Sequence, residues 1–215
     1  MALVLPFHDT TFNAILPEVR QVLTAQGLIA LPTETYYGLA VRPTDEGAVR
    51  RLIDAKGRPD DKPILVLIGG RDQLSTLVSS IPPVAALLMD LFWPGPLTIV
   101  CPAAAGLSPL LTAGTGTIGV RWSPLPILQR LLNQTGPLTG TSANRSSEPP
   151  LARAEAVQQT LGPLLDLILD GGRTTGGSAS TIVDACEQPR LLRAGLLSAD
   201  RIRAALAQQG YTLSS

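Results

Sequence analysis

Leu28-Ile29-Ala30-Leu31-Pro32-Thr33-Glu34-Thr35-Tyr36-Tyr37-Gly38-Leu39 is the stretch from which the rest of the chain is best read. The apolar run Leu28 to Leu31 predicts a short buried strand. Pro32 stops its ladder, and Gly38 lets the backbone turn into a second short strand from Tyr37 to Val41. Two threonines and a glutamate just past a strand end stand where open α/β sheets bind their ligands. An ordinary strand-to-strand loop has the same composition, so the decision falls to the flanking sequence.

Upstream, Phe12, Ile15, Leu16, Val19, Val22 and Leu23 recur at helical spacing after Thr10-Thr11, and Gly27 closes the pattern. Pro17 predicts that this helix starts or kinks near it, and the segment before it, with His8, is expected to be mobile. Downstream, Thr44-Asp45-Glu46 caps a helix that ends in Ala55-Lys56-Gly57-Arg58-Pro59. Strands are predicted at 64–68, 97–101 and 117–122, with short helices at 73–78 and 83–92. A helix from Ser123-Pro124 to Gly136 leads into the strand-like Leu138 to Thr141. A helix near 153–161, a strand at 167–169 and the glycine-rich loop 171–177 follow. Paired strands at 180–185 and 190–193 and a helix at 200–208, capped by Ser198, close the chain. Helices and strands mix without strict alternation, which predicts an α/β fold: a twisted open sheet of mixed parallel and antiparallel strands flanked by helices. With no evident linker, 1–215 is expected to form a single domain.

Basic and acidic residues number 17 each. That balance argues against a surface built wholly for nucleic acid, while leaving room for a local basic groove. Cys101 and Cys186 lie in apolar runs and read as small core residues. His8 is the one histidine of the sequence, which argues against a Ser-His-Asp triad, a Cys-His pair and a multi-histidine zinc site. The absence of a basic-plus-apolar leader or a bilayer-length run sets the expectation of a cytoplasmic protein without membrane contact.

Gly114-Thr115-Gly116-Thr117-Ile118-Gly119 matches the dinucleotide fingerprint in letters but opens into a strand, not a helix, so that reading is rejected. Lys56, Arg58 and Lys62 beyond a helix end are either solvated charges complementing the helix dipole or a phosphate clamp. Arg121 stands alone amid Ile118, Val120 and Trp122, as one half of a structural ion pair or as a grip on a ligand carboxylate. Thr139-Gly140-Thr141-Ser142-Ala143-Asn144 and Ser178-Ala179-Ser180-Thr181 are either caps and turns or anion-binding hydroxyl clusters. Together they form a kit for a polyphosphate and a small carboxylate, acting by positioning and charge stabilisation.

Pro32-Thr33-Glu34-Thr35 with Tyr37-Gly38-Leu39, Lys56-Gly57-Arg58-Pro59, Trp93-Pro94-Gly95-Pro96-Leu97-Thr98, Gly119-Val120-Arg121, Thr141-Ser142-Ala143-Asn144, Ser180 to Asp184 and Arg193-Ala194-Gly195 occur in that order. The series resembles the threonylcarbamoyl-adenylate synthase family, the YrdC-type enzymes, over about 28–195. The resemblance implies an enzyme that joins L-threonine, bicarbonate or CO2, and ATP into threonylcarbamoyl-AMP and pyrophosphate, with Mg2+ arriving on the ATP and no metal ligands from the protein. The product would pass to a tRNA threonylcarbamoyl-transfer complex that modifies the adenosine next to the anticodon. Weak tRNA or double-stranded RNA binding is an accompanying expectation, and an RNA-binding module or a paralogous carbamoyl-adenylate-forming enzyme is the alternative. By position, Thr33, Arg121, Ser142 and Ser180 would hold threonine. Lys56, Arg58, Thr117, Thr141, Asn144 and Arg193 would hold ATP. Leu67 stands where many relatives carry a histidine. Longer relatives add a C-terminal domain for which this chain has no room, and the loop from Arg173 to Gly177 receives no role.

Overall fold

The computed structural model describes residues 1–59 and 61–214. Strand β1 (Leu3–Pro6) leads into α1 (Phe12–Thr24), the antiparallel pair β2 (Ile29–Pro32) and β3 (Tyr37–Ala40), and α2 (Glu46–Lys56). Next come β4 (Val66–Ile68), a 3-10 turn at Arg71–Thr76, α3 (Pro83–Phe92), β5 (Leu97–Pro102), the single turn α4 (Pro109–Thr112) and β6 (Thr117–Trp122). Helix α5 (Pro126–Thr135) precedes two short strands, β7 (Leu138–Thr139) and β8 (Thr141–Ser142). The chain then forms α6 (Ala154–Leu161), a second 3-10 turn, β9 (Leu167–Asp170), β10 (Thr181–Asp184), β11 (Arg190–Arg193) and α7 (Ala199–Ala207).

The strands form two mixed sheets, in the orders β1-β9-β2-β3-β8 and β11-β10-β5-β6-β4-β7. The mixed α/β architecture agrees with the sequence. Its division into two sheets was not anticipated, and it follows from one short segment. Thr139 pairs with Val66 of β4, and two residues later Thr141 pairs with Leu39 of β3. Gly140, between them, donates its N–H to Leu65 O at 2.9 Å, and the Thr139 N–H reaches Val41 O at 3.0 Å. Five residues therefore stitch the sheets together, and any side chain at 140 would obstruct them. A Cβ there would lie 2.6 Å from Leu67 Cγ and 2.9 Å from Leu65 Cδ1.

Three expectations are corrected. The N-terminal segment is not mobile: β1 pairs in parallel with β9, Leu3 opposite Leu167, and Phe7 is buried behind it. Helix α1 does not start at Pro17 but begins at Phe12 and runs through it. Pro17 lies on the exposed face, so the carbonyl deprived of its N–H partner by the ring faces water. The last prolines of the α5 region also shift that helix, whose first residue is Pro126, with Ser123 left free for other bonds.

Alternation along the strands divides core from cavity. In β6, Ile118 and Val120 enter the large apolar core, and in β5 Leu97, Ile99 and Cys101 do the same. Their neighbours Thr117, Gly119, Arg121, Thr98 and Val100 face an open space instead. A second apolar cluster under α1 and α5 holds Ile29, Leu31, Leu67, Leu138, Leu167 and Leu169. Leu67 is fully buried in that cluster and pairs across the ladder with Arg121.

Candidate active site

Between the sheets lies a cavity of about 540 Å3, into which Thr33 and Gly38 project from one sheet and Thr98, Arg121 and Ser180 from the other. Its volume falls within the roughly 300–1,000 Å3 of small-molecule sites. Eight of the ten residues singled out in the sequence line it: Thr33, Arg58, Thr117, Arg121, Thr141, Ser142, Ser180 and Arg193. The other two, Lys56 and Asn144, stand behind its wall.

Arg121 is 4% exposed and lies 3.5 Å from the Glu34 carboxylate. That oxygen, Glu34 Oε1, has no hydrogen-bond partner among the described residues, and neither has Arg121 Nε. The other carboxylate oxygen accepts from Ser123 Oγ at 2.6 Å. Burial lowers the Arg121 pKa, and Glu34 works in the opposite direction. Both readings of Arg121 thus hold in part: it belongs to an ion pair, but a long one that leaves donor capacity beside the cavity. A buried guanidinium with an unmet N–H is costly until an anion completes it.

Next to it, Ser180 Oγ and Thr98 Oγ1 are 2.9 Å apart. Arg193 donates to Ser180 O from Nε at 3.1 Å and from Nη2 at 2.8 Å, fixing the serine from behind. Burial, then Arg121, then Arg58, lowers the pKa of Arg193. Three guanidinium groups therefore share one low-dielectric space, an arrangement that repels itself and attracts an anion. Arg58 is held by Lys62 O at 3.2 Å and Pro63 O at 2.8 Å, and Lys62 itself is exposed.

Lys56 and Arg58 part company at Gly57, whose left-handed conformation (φ 58°) ends α2. Lys56 turns inward, and its ammonium donates to Ser142 O (2.5 Å), Asn144 O (3.0 Å) and Asn144 Oδ1 (2.8 Å). Asn144 Oδ1 also accepts from Ser142 Oγ at 2.6 Å, and its amide donates to Arg145 O at 2.9 Å. The structure places the Lys56 ammonium, read from sequence as a phosphate contact, in a buried knot that shapes the Ser142–Asn144 turn.

The loop without an assigned role turns out to fasten the opening stretch. Thr175 Oγ1 donates to Glu34 O at 2.5 Å, Gly176 N–H to Thr35 O at 2.8 Å, and Tyr36 OH to Gly177 O at 2.7 Å. Thr33 Oγ1 closes its own turn on Tyr36 O at 2.8 Å. Sequence reasoning also missed Thr98, Gly119 and Asp184 as cavity residues, although each follows from alternation along its strand. Neither thiol is a poised nucleophile: burial pushes both Cys101 and Cys186 up to about 12. Among the described residues no three His, Cys, Asp or Glu side chains gather as a metal site.

The Sua5_yciO_yrdC family model, described as telomere recombination, matches residues 21–195. The chain belongs to the Sua5/YciO/YrdC family. A threonylcarbamoyl-AMP synthase of Pyrococcus abyssi is 38% identical over 84% of this chain and 54% of its own length. A putative threonylcarbamoyl-AMP synthase of Mycobacterium tuberculosis is 36% identical over 94% of this chain and 98% of its own. The structure of P. abyssi Sua5 complexed with L-threonine superposes with a TM-score of 0.89 at 32% identity, covering 99% of this chain and 62% of that one. The chain thus spans little more than half of the Pyrococcus protein. All ten candidate residues of this Sua5/YciO/YrdC member fall inside the matched segment, as does the whole cavity.

Proposed function

We propose that this protein is an L-threonylcarbamoyladenylate synthase that condenses L-threonine, bicarbonate or CO2, and ATP into threonylcarbamoyl-AMP and pyrophosphate. The observation that carries the reading is Arg121: a buried, under-partnered guanidinium flanked by hydroxyls, in one cavity with Arg58 and Arg193. A carboxylate satisfies the first, and the phosphates of a nucleotide satisfy the others. The names and threonine complex of its relatives support the same assignment.

In this reading the threonine carboxylate meets Arg121, while Thr33, Ser142 and Ser180 surround the rest of the amino acid. The neutral threonine amine adds to CO2 and gives up a proton to solvent, leaving a carbamate. A carbamate oxygen then attacks the α-phosphorus in line, the bond from that phosphorus to the bridging oxygen breaks, and pyrophosphate leaves. Arg58 and Arg193 take up the charge that grows on the departing oxygens. Thr117 and Thr141 line the nucleotide side, and Lys56 with Asn144 keeps the Ser142 turn in register. The donor set fits Mg2+ carried on ATP oxygens, where it neutralises phosphate charge: the wall is rich in guanidinium, and its carboxylate, Asp184, is paired with Arg190. The chain acts as one unit in the cytoplasm, and the adenylate passes to a tRNA-modifying acceptor.

Pyrophosphate release from ATP and bicarbonate, measured with L-threonine, with L-serine and without amino acid, tests this. Release should depend on threonine, and Arg121→Ala should lose about ten- to hundredfold in kcat/KM for threonine, the worth of a charged hydrogen bond. Release indifferent to the amino acid would overturn the assignment.

A further inference from the structure

The cavity floor is built in rows. Parallel pairing sets Asp184 of β10 beside Val100 of β5, and antiparallel pairing sets Val100 beside Gly119 of β6. The next row holds Ile182 beside Thr98, with Arg121 two residues along β6 from Gly119. The anion grip and the carboxylate of Asp184 thus occupy different rows. Asp184, Val100 and Gly119 make a shelf three strands wide, roughly 10 Å across at about 4.8 Å per strand. The shelf is apolar and flat in the middle, because Gly119 has no side chain there and Val100 is short. It ends in a carboxylate.

That carboxylate is out of place in a cavity lined by arginines and threonines. It would repel a phosphate, so it must face a part of the ligand that donates hydrogen bonds. Asp184 Oδ1 accepts from Cys186 N–H at 3.1 Å, and Oδ2 has a long, half-exposed contact with Arg190 at 3.5 Å. Lone pairs remain on both oxygens for a further donor.

Resting on the synthase reading above, we infer that Asp184 reads the nucleobase. A purine lies on the Val100–Gly119 shelf, and Asp184 accepts a hydrogen bond from the exocyclic amine of adenine. A purine with oxygen at that position sets two acceptors against each other and is rejected. Selectivity then arises from a carboxylate lone pair left facing another acceptor, a stronger discriminator than shape.

The test compares ATP with ITP, whose base carries oxygen in place of the amine, in wild type, Asp184→Asn and Asp184→Ala. Asparagine keeps an acceptor for Cys186 N–H and adds a donor that suits the oxygen. The ATP-over-ITP preference in kcat/KM should fall at least tenfold in Asp184→Asn, with KM for threonine unchanged. Asp184→Ala should weaken ATP without improving ITP. An unchanged preference in folded Asp184→Asn overturns the inference, as does an unchanged preference with a higher Mg2+ requirement, which would make Asp184 a metal ligand. Calorimetric binding of ATP and ITP without threonine separates this from the reaction itself. An Asn-sensitive preference in binding, with no threonine-dependent turnover, keeps the base reader and removes the synthase.

Discussion

Lys56 ends a helix yet sends its ammonium inward, where oxygens of Ser142 and Asn144 surround it. Burial, and then the neighbouring Arg58, lower its pKa from 10.5 to about 8. The unfolded chain therefore holds a proton at Lys56 that the folded chain has released between those two values, so folding gains stability as pH rises through that window. The unfolding free energy of wild type relative to Lys56→Met should be flat below pH 8 and should climb up to pH 10.5. The slope should approach ~1.4 kcal/mol per pH unit. Denaturant melts at stepped pH measure this, and a difference that stays flat to pH 10.5 would refute the lowered pKa of Lys56. The sequence made Lys56 and Arg58 neighbours, and it could be read as two cations reaching one phosphate. What it hid was the left-handed turn at Gly57, which sends the two side chains to opposite sides of the cavity wall. Glu34 was hidden in a similar way, since its partner Arg121 arrives from the other sheet and no local pattern foretells the pairing.

Elements with strong periodicity were legible: β6 and α3 have the bounds that alternation and helical spacing predict, and Ser198 caps α7 by accepting from Arg201 N–H at 3.4 Å. Strand β1 was not, because its half-exposed residues at the sheet edge lack a buried period. The cavity side of each strand was legible in principle, since polar and small residues alternate with apolar ones in β5 and β6. A less visible constraint lies just after β11. A Cβ on Gly195 would stand 2.3 Å from Ala179 O and 2.6 Å from Thr181 N, both backbone atoms that cannot rotate away. Gly195→Ala must therefore push this segment off the Ala179–Thr181 backbone and shift Ser180, to which Arg193 is tied. The cost should be about 1–3 kcal/mol. Thermal melts should show the loss, and KM for threonine should rise more than KM for ATP. Equal effects on both would mean that Ser180 is not displaced.

The cavity lies between two sheets, so whatever fills it bears on the whole molecule. A nucleotide at a hundred times its Kd adds about 2.7 kcal/mol to the folded state, which for a chain of this size raises Tm by roughly 5–10 °C. Melting with ATP should show that rise, and hydrogen exchange should slow in both sheets together; slowing in one alone would place the nucleotide outside the shared cavity. With 17 basic and 17 acidic residues, long-range attraction is concentrated at the cavity and not spread over the surface. The division into two sheets also has a consequence for how activity should be interpreted. The segment Leu138 to Ser142 joins partners far apart in the chain, 98 residues in the bond from Val41 N–H to Thr139 Oγ1 and 86 in that from Lys56 to Ser142. Its two halves pair with strands of different sheets, so the segment carrying Thr141 and Ser142 is fixed at both ends only when both sheets have formed. A half-finished molecule has no half-strength site. Counting active sites in a preparation therefore counts finished molecules, and a variant that slows assembly loses yield without altering the turnover of the molecules that complete it.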